Sequence, residues 1–165
     1  MPLKQILRTS HFTADFSERH LDKLAALAST VEFKEDQLIL VAGQRSQNLF
    51  LLLSGSVVVE VRTPFYVVCV QALKPGDAFG WSSLLNQQDT LFQVRARETV
   101  TAIRWEGTAL LAACEEDAAF GMELLRRLLQ LVAGRVKATE TRLGEFCGIA
   151  GQSEGCSVDY SIFNG

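Results

Sequence analysis

Histidine is nearly missing from this chain, with two among 165 residues, and proline is scarce, with three. Both histidines, His11 and His20, precede the first strand-like segment, so no histidine cluster can form on a barrel wall to hold a catalytic metal. No Cys-x-x-Cys pair occurs. Cys69, Cys114, Cys147 and Cys156 are too scattered to suggest an iron–sulfur ligand set and read as free thiols. A Gly-x-Ser-x-Gly elbow is also absent, as is a Cys–His pair within strand reach. These absences argue against an enzyme and against a resident metal or cofactor. Positive charge is not in excess either: the net charge is −3 and the pI about 5.4, so nucleic acid is not an expected partner. No apolar run approaches the roughly 18 residues that span a bilayer, and Met1-Pro2-Leu3-Lys4-Gln5 does not open a signal peptide. The expectation is a soluble cytoplasmic protein with no membrane partner.

What is abundant is apolar surface, at 48% of residues, enough for one packed domain. Its period changes twice. From Phe16 to Ser29 the apolar residues Leu21, Leu24, Ala25 and Ala28 recur at helical spacing behind the N-cap Ser17. His11 and His20 read as solvated. From Thr30 to Trp105 the period is two, in seven or eight short segments: Val31–Phe33, Leu38–Val41, Asn48–Leu53, Ser56–Val61, Phe65–Leu73, Phe92–Ala96 and Val100–Trp105. Many short strands at roughly ten-residue intervals predict an antiparallel roll with an interior able to take a small ligand. The class is α+β. After Trp105 a short helix from Ala109 to Glu116, capped by Thr108, leads to a long one from about Asp117 to Glu145. That helix carries two apolar stripes. Phe120, Leu124, Leu128 and Leu131 would meet the roll. Leu125, Leu129, Val132, Val136 and Leu143 would meet the same helix of a second chain, with Gly134 allowing close approach. Residues 1–145 form one domain in this reading, and 146–165 an irregular tail.

The most informative stretch is Leu73-Lys74-Pro75-Gly76-Asp77-Ala78-Phe79-Gly80-Trp81-Ser82-Ser83-Leu84-Leu85. Pro75 and Gly76 break a strand, and Asp77 can bond its own backbone to fix the turn. Phe79-Gly80 then lead into a short helical run. Upstream, Gly43 to Val57 contains a glycine turn and an apolar strand ending in Ser54-Gly55-Ser56-Val57. In this order and spacing the pieces resemble the cyclic nucleotide-binding domain family over roughly residues 15–145. The resemblance implies a β-roll, or jelly roll, with an N-terminal helix, a long C-terminal dimerisation helix and a phosphate-binding cassette. It points to Phe79, Gly80, Trp81, Ser82, Ser83, Thr90 and Leu91 as the ligand-binding positions. Members of the catabolite activator type carry a DNA-binding domain after the long helix. The segment after residue 145 is too short for one, so kinship with stand-alone regulatory domains is expected.

The cassette departs from the family at its charged positions. The family places a glutamate after Phe-Gly, to bind the ribose hydroxyl, and later an arginine, to pair with the cyclic phosphate. Here those positions hold Trp81 and Thr90, and two small positions hold Leu91 and Phe92. Charge-assisted hydrogen bonds contribute roughly 1.5–3 kcal/mol each, and a buried charge without its partner costs about 3–5 kcal/mol. A micromolar site so altered falls to roughly millimolar affinity. Arg95 and Arg97 alternate with Val94 and Ala96 and are expected on the opposite, solvated face together with Gln93. Two readings follow. One is a sensor whose pocket takes another small-molecule effector. The other is a ligand-free dimerising scaffold or protein-interaction module whose cavity Trp81, Leu91 and Phe92 fill themselves. An open site predicts a near-neutral Trp81→Ala change, and a plugged one a loss beyond about 3 kcal/mol.

Overall fold

A strand apolar on both faces sits at the centre of the molecule, and its position explains the layers around it. The structure is a computed structural model that describes residues 2–85 and 91–148. Strand β3 (Asn48–Ser54) sends Leu49 and Leu51 to one side and Phe50 and Leu52 to the other, all buried. Leu49 and Leu51 join a core shared with the helices, while Phe50 and Leu52 join a core enclosed between two sheets. Strands covered on both faces lose the usual polar alternation.

Among the described residues the strands are β1 (Ala28–Phe33), β2 (Leu38–Leu40), β3, β4 (Val57–Arg62), β5 (Val67–Leu73), β6 (Ala78–Phe79), β7 (Phe92–Ala96) and β8 (Val100–Glu106). They form two antiparallel four-stranded sheets, ordered β1-β8-β3-β6 and β2-β7-β4-β5. The pairings are nested: β1 lies on β8, β2 on β7, β3 on β6 and β4 on β5. This is the expected antiparallel roll. Between its sheets lie Phe50, Leu52, Val57, Val59, Phe79 and Val94.

Helices cover the outer face of the first sheet. Helix α1 (Leu3–Thr9) and a 3₁₀ turn (His11–Thr13) precede α2 (Glu18–Leu27). Neither of the first two was expected from the sequence. Ser17 caps α2 by accepting from the His20 amide at 3.3 Å, and the chain enters β1 directly at Ala28. Trp105 is fully buried and its Nε1–H donates to the Leu24 carbonyl at 2.8 Å, pinning α2 to the sheet. Helix α3 begins at Gly107 and ends at Glu116, separated from α4 (Ala118–Phe146) by Asp117 alone. Thr108 is not its cap; the Thr108 hydroxyl donates to Glu106 Oε1 at 2.8 Å. The first residue of the helix, Gly107, rests on the Ser83 carbonyl, where a Cβ would stand 2.5 Å from the oxygen.

Asp117 caps α4, accepting from the Phe120 amide at 3.2 Å, and also holds Arg19 at 2.6 Å and Lys23 at 3.2 Å. That backbone bond, with the lysine and arginine beside it, keeps the Asp117 carboxyl below its ordinary value. His20 departs from expectation. It is buried against Phe120 and bonded to Glu123, because α2 packs into the first turns of α4. Of the two stripes on α4, Phe120 and Leu124 are buried and Leu128 and Leu131 pack on the same core. Leu125, Leu129, Val136 and Leu143 are exposed and Val132 is half-buried. Gly134 has open space around it.

Cys69, Cys114 and Cys147 are free thiols, and burial pushes Cys114 up. Among the described residues no helix is long and apolar enough to cross a membrane. Nor do they group three His, Cys, Asp or Glu side chains that could hold a metal ion. Of the expected tail, residues 149–165, Cys156 included, lie outside the described residues.

Candidate functional site

The turn after β5 is built as its sequence requires. Asp77 Oδ2 accepts from the Lys74 amide at 2.9 Å and closes the Pro75-Gly76 corner. The corner is then stitched to the central strand: Gly76 N–H donates to Leu52 O at 2.8 Å, and Leu52 N–H to Asp77 O at 2.9 Å. Phe79 is buried and stacks on Phe50 with ring centroids 5.0 Å apart. Gly80 then adopts φ 84°, and a Cβ there would stand 2.4 Å from the Asn48 carbonyl oxygen. Only glycine fits both the left-handed conformation and that approach. The 3₁₀ turn Trp81–Leu84 follows, and Ser83 folds inward, its hydroxyl donating to Gly80 O at 2.7 Å.

This turn forms one wall of a cavity of about 280 Å³ inside the roll. The floor is the inner face of the second sheet: Leu40 of β2, Val59 of β4, and Phe92 and Val94 of β7. The wall runs from Phe79 to Ser82, with Leu91 opposite. Leu91 is 77% exposed, so it borders the cavity rather than filling it. Trp81 is half-buried, packing on the helical core on one side and lining the cavity on the other.

Among the described residues one charged group lines this space, and it comes from α4. Arg135 is 8% exposed, and its guanidinium donates to the side-chain oxygen of Gln71 on β5. Burial pulls its pKa below the ordinary arginine value, partly offset by the nearby Asp77 carboxylate. An arginine stays protonated through such shifts. Among the described residues no ion pair includes Arg135.

Five of the expected ligand positions thus converge: Phe79, Gly80, Trp81, Ser82 and Leu91. Ser83 does not line the cavity, because its hydroxyl is committed to the Gly80 carbonyl. Thr90 lies outside the described residues. Arg95 and Gln93 do face away from the cavity but are not solvated. Gln93 is buried and donates to Glu60 Oε1 at 2.6 Å, and Arg95 pairs with the same oxygen at 3.0 Å. Their strands β4 and β7 are central in the sheet, so neighbours cover polar groups that alternation alone would leave to water.

Sequence reasoning missed Arg135, although a signal was present. The buried stripe Phe120, Leu124, Leu128, Leu131 continues in helical register to Arg135 and then to Arg142, which donates to the Cys69 carbonyl at 2.9 Å. The inward face of α4 therefore changes from apolar to cationic where the helix leaves the helical core and passes the second sheet.

Comparison with known proteins agrees with this architecture. The family profile for the cyclic nucleotide-binding domain matches residues 30–117. A candidate cyclic nucleotide-binding protein from Geobacter metallireducens superposes with a TM-score of 0.72 at 26% identity, covering 82% of this chain and 99% of that one. A cyclic nucleotide-binding domain from Methylobacillus flagellatus has a TM-score of 0.75 at 20% identity, covering 93% and 85%. The catabolite activator protein of Thermus thermophilus has 0.67 at 19% identity, covering 82% and 62%. No curated protein matches significantly in sequence.

Proposed function

Because the chain belongs to the cyclic nucleotide-binding domain family, we propose that it is a ligand-sensing regulatory module whose roll takes a small-molecule effector other than tightly bound cyclic AMP or cyclic GMP. Domains of this family are regulatory modules rather than catalysts, and no catalytic, nucleic-acid or membrane role enters this reading. The observation that carries it is the cavity itself. The fold retains about 280 Å³ behind an intact Pro75–Gly80 turn, near the lower end of the roughly 300–1,000 Å³ of small-molecule sites. The positions that give the family its ribose and phosphate contacts hold Trp81 and Thr90 instead. Calorimetry tests the specificity: micromolar cyclic AMP or cyclic GMP should give no signal. The double change Trp81→Glu with Thr90→Arg should recover measurable affinity. Sub-micromolar binding by the unmutated chain would refute the reading.

The assembly is proposed to be a parallel, two-fold homodimer through α4. The exposed stripe Leu125, Leu129, Val136 and Leu143 supports it, since an unpartnered apolar face on a long helix favours association. The same stripe supports the second reading, a dimerising scaffold or protein-interaction module that needs no ligand. A thermal-shift screen separates the two. An effector at 100 times its dissociation constant adds about 2.7 kcal/mol, whereas a scaffold responds to none.

A further inference from the structure

Four ionisable side chains are buried among the described residues: His20, Glu60, Asp117 and Arg135. Three have an ionisable partner. His20 meets Glu123, Glu60 meets Arg95, and Asp117 meets Arg19 and Lys23. Arg135 is the exception: it makes no ion pair among the described residues, its guanidinium donates to the neutral amide of Gln71 while it lines the cavity, and the Asp77 carboxylate acts on it only from beyond ion-pair distance. A buried charge outside any direct ion pair is costly, and a paired anion that arrives from outside relieves the cost. Among the described residues the rest of the lining is apolar or neutral, including Leu40, Val59, Val94, Phe92 and the indole of Trp81.

We infer that the effector is a small aromatic monocarboxylate, bound with its acid group on Arg135 and its ring between Trp81 and the inner faces of β4 and β7. This rests on the sensor reading and adds the ligand's chemical class and its polarity in the site. A guanidinium presents a planar fork that matches a carboxylate with two parallel hydrogen bonds. One cation balances one negative charge, which favours a monoanion over a phosphate monoester. The flat indole and the Phe92 ring suit a planar body, and a cavity of about 280 Å³ admits one or two rings. The charged end of the ligand then sits at α4 rather than at the cassette turn.

The test uses the full chain and isothermal calorimetry with benzoate, 4-hydroxybenzoate, 2-naphthoate and indole-3-acetate, each beside its neutral primary amide. At least one acid should bind with submillimolar affinity and its amide at least tenfold more weakly. Arg135→Gln should abolish that preference, so that acid and amide bind alike, while Arg135→Lys should keep a reduced preference for the acid. If Arg135→Gln does not fold, the lysine variant and the acid–amide pairs still decide the matter. Equal binding of acids and amides by the unmutated chain overturns the inference and leaves the sensor reading standing. So does binding of acids that survives Arg135→Gln unchanged. No binding of any acid at millimolar concentration overturns it too, and the broader thermal-shift screen then decides separately whether the cavity senses anything.

Discussion

Trp81→Ala is the substitution on which an open and a filled cavity differ most. A tryptophan enclosed on all sides costs about 3–5 kcal/mol when cut to alanine. Trp81 is packed on one side only: it leans on the core that α3 and α4 share with the first sheet, and its other side borders the cavity. An aromatic side chain buries about 150–250 Å², and at about 25 cal/mol per Å² half of that area is worth about 2–3 kcal/mol, toward the lower figure because alanine keeps the Cβ. The near-neutral change expected for an open site from sequence therefore becomes a moderate loss, since an open cavity does not require a free indole. For a domain of this length about 2 kcal/mol lowers the melting temperature by about 4–8 °C. Urea unfolding followed by circular dichroism measures it without relying on tryptophan emission. A loss above about 3 kcal/mol would mean the indole is enclosed on both sides and would refute the cavity. A loss below about 1 kcal/mol would refute its packing on the helical core.

Three further outcomes are expected. Gly107→Ala should destabilise by about 1–3 kcal/mol through overpacking, because the added Cβ would meet the Ser83 carbonyl at 2.5 Å; an unchanged urea midpoint would refute that contact. Asp117 has a lowered pKa in the fold, so its contribution is full above the ordinary carboxylate value of 3.8 and fades as acid passes through the lower folded value. Asp117→Asn should therefore lower the melting temperature at neutral pH and flatten its decline in acid; parallel pH curves for the two proteins would contradict this. Replacing Leu129 and Val132 with aspartate should release monomers, read by sedimentation, while an unmutated chain already monomeric at tens of micromolar would sink the dimer.

The fold was legible because it is written in short-range signals. The glycine turns, the Pro75-Gly76 corner and the period-two runs each act locally, and their order is specific even where each piece is weak. The polar groups were less legible. His20 and Gln93 look solvated in sequence because nothing near them announces Glu123 or Glu60, which only tertiary packing brings close. Helix α1 has no side-chain cap and spans seven residues, too few for its period to stand out. Arg135 falls in register with a buried stripe, yet its charge reads as the solvent face of a helix until the cavity beneath it is seen.

The nested strand pairing constrains how the chain can fold. Strands β4 and β5 pair next to their connecting turn, at Arg62 opposite Val67, whereas β1 and β8 join Ala28 to Trp105. Closing the outermost pair first would fix a long loop before any contact within it rewards the cost, and each doubling of loop length costs about 0.6 kcal/mol more. Closing from the centre outward makes every later pair local, because the strands already zipped shorten the remaining loop. The β4–β5 hairpin is thus the pairing with the smallest loop-closure cost, and β8 between β1 and β3 the one with the largest. Trp105, which locks α2 onto the roll from that last strand, thus sits in the pairing that closes the longest loop of the nest.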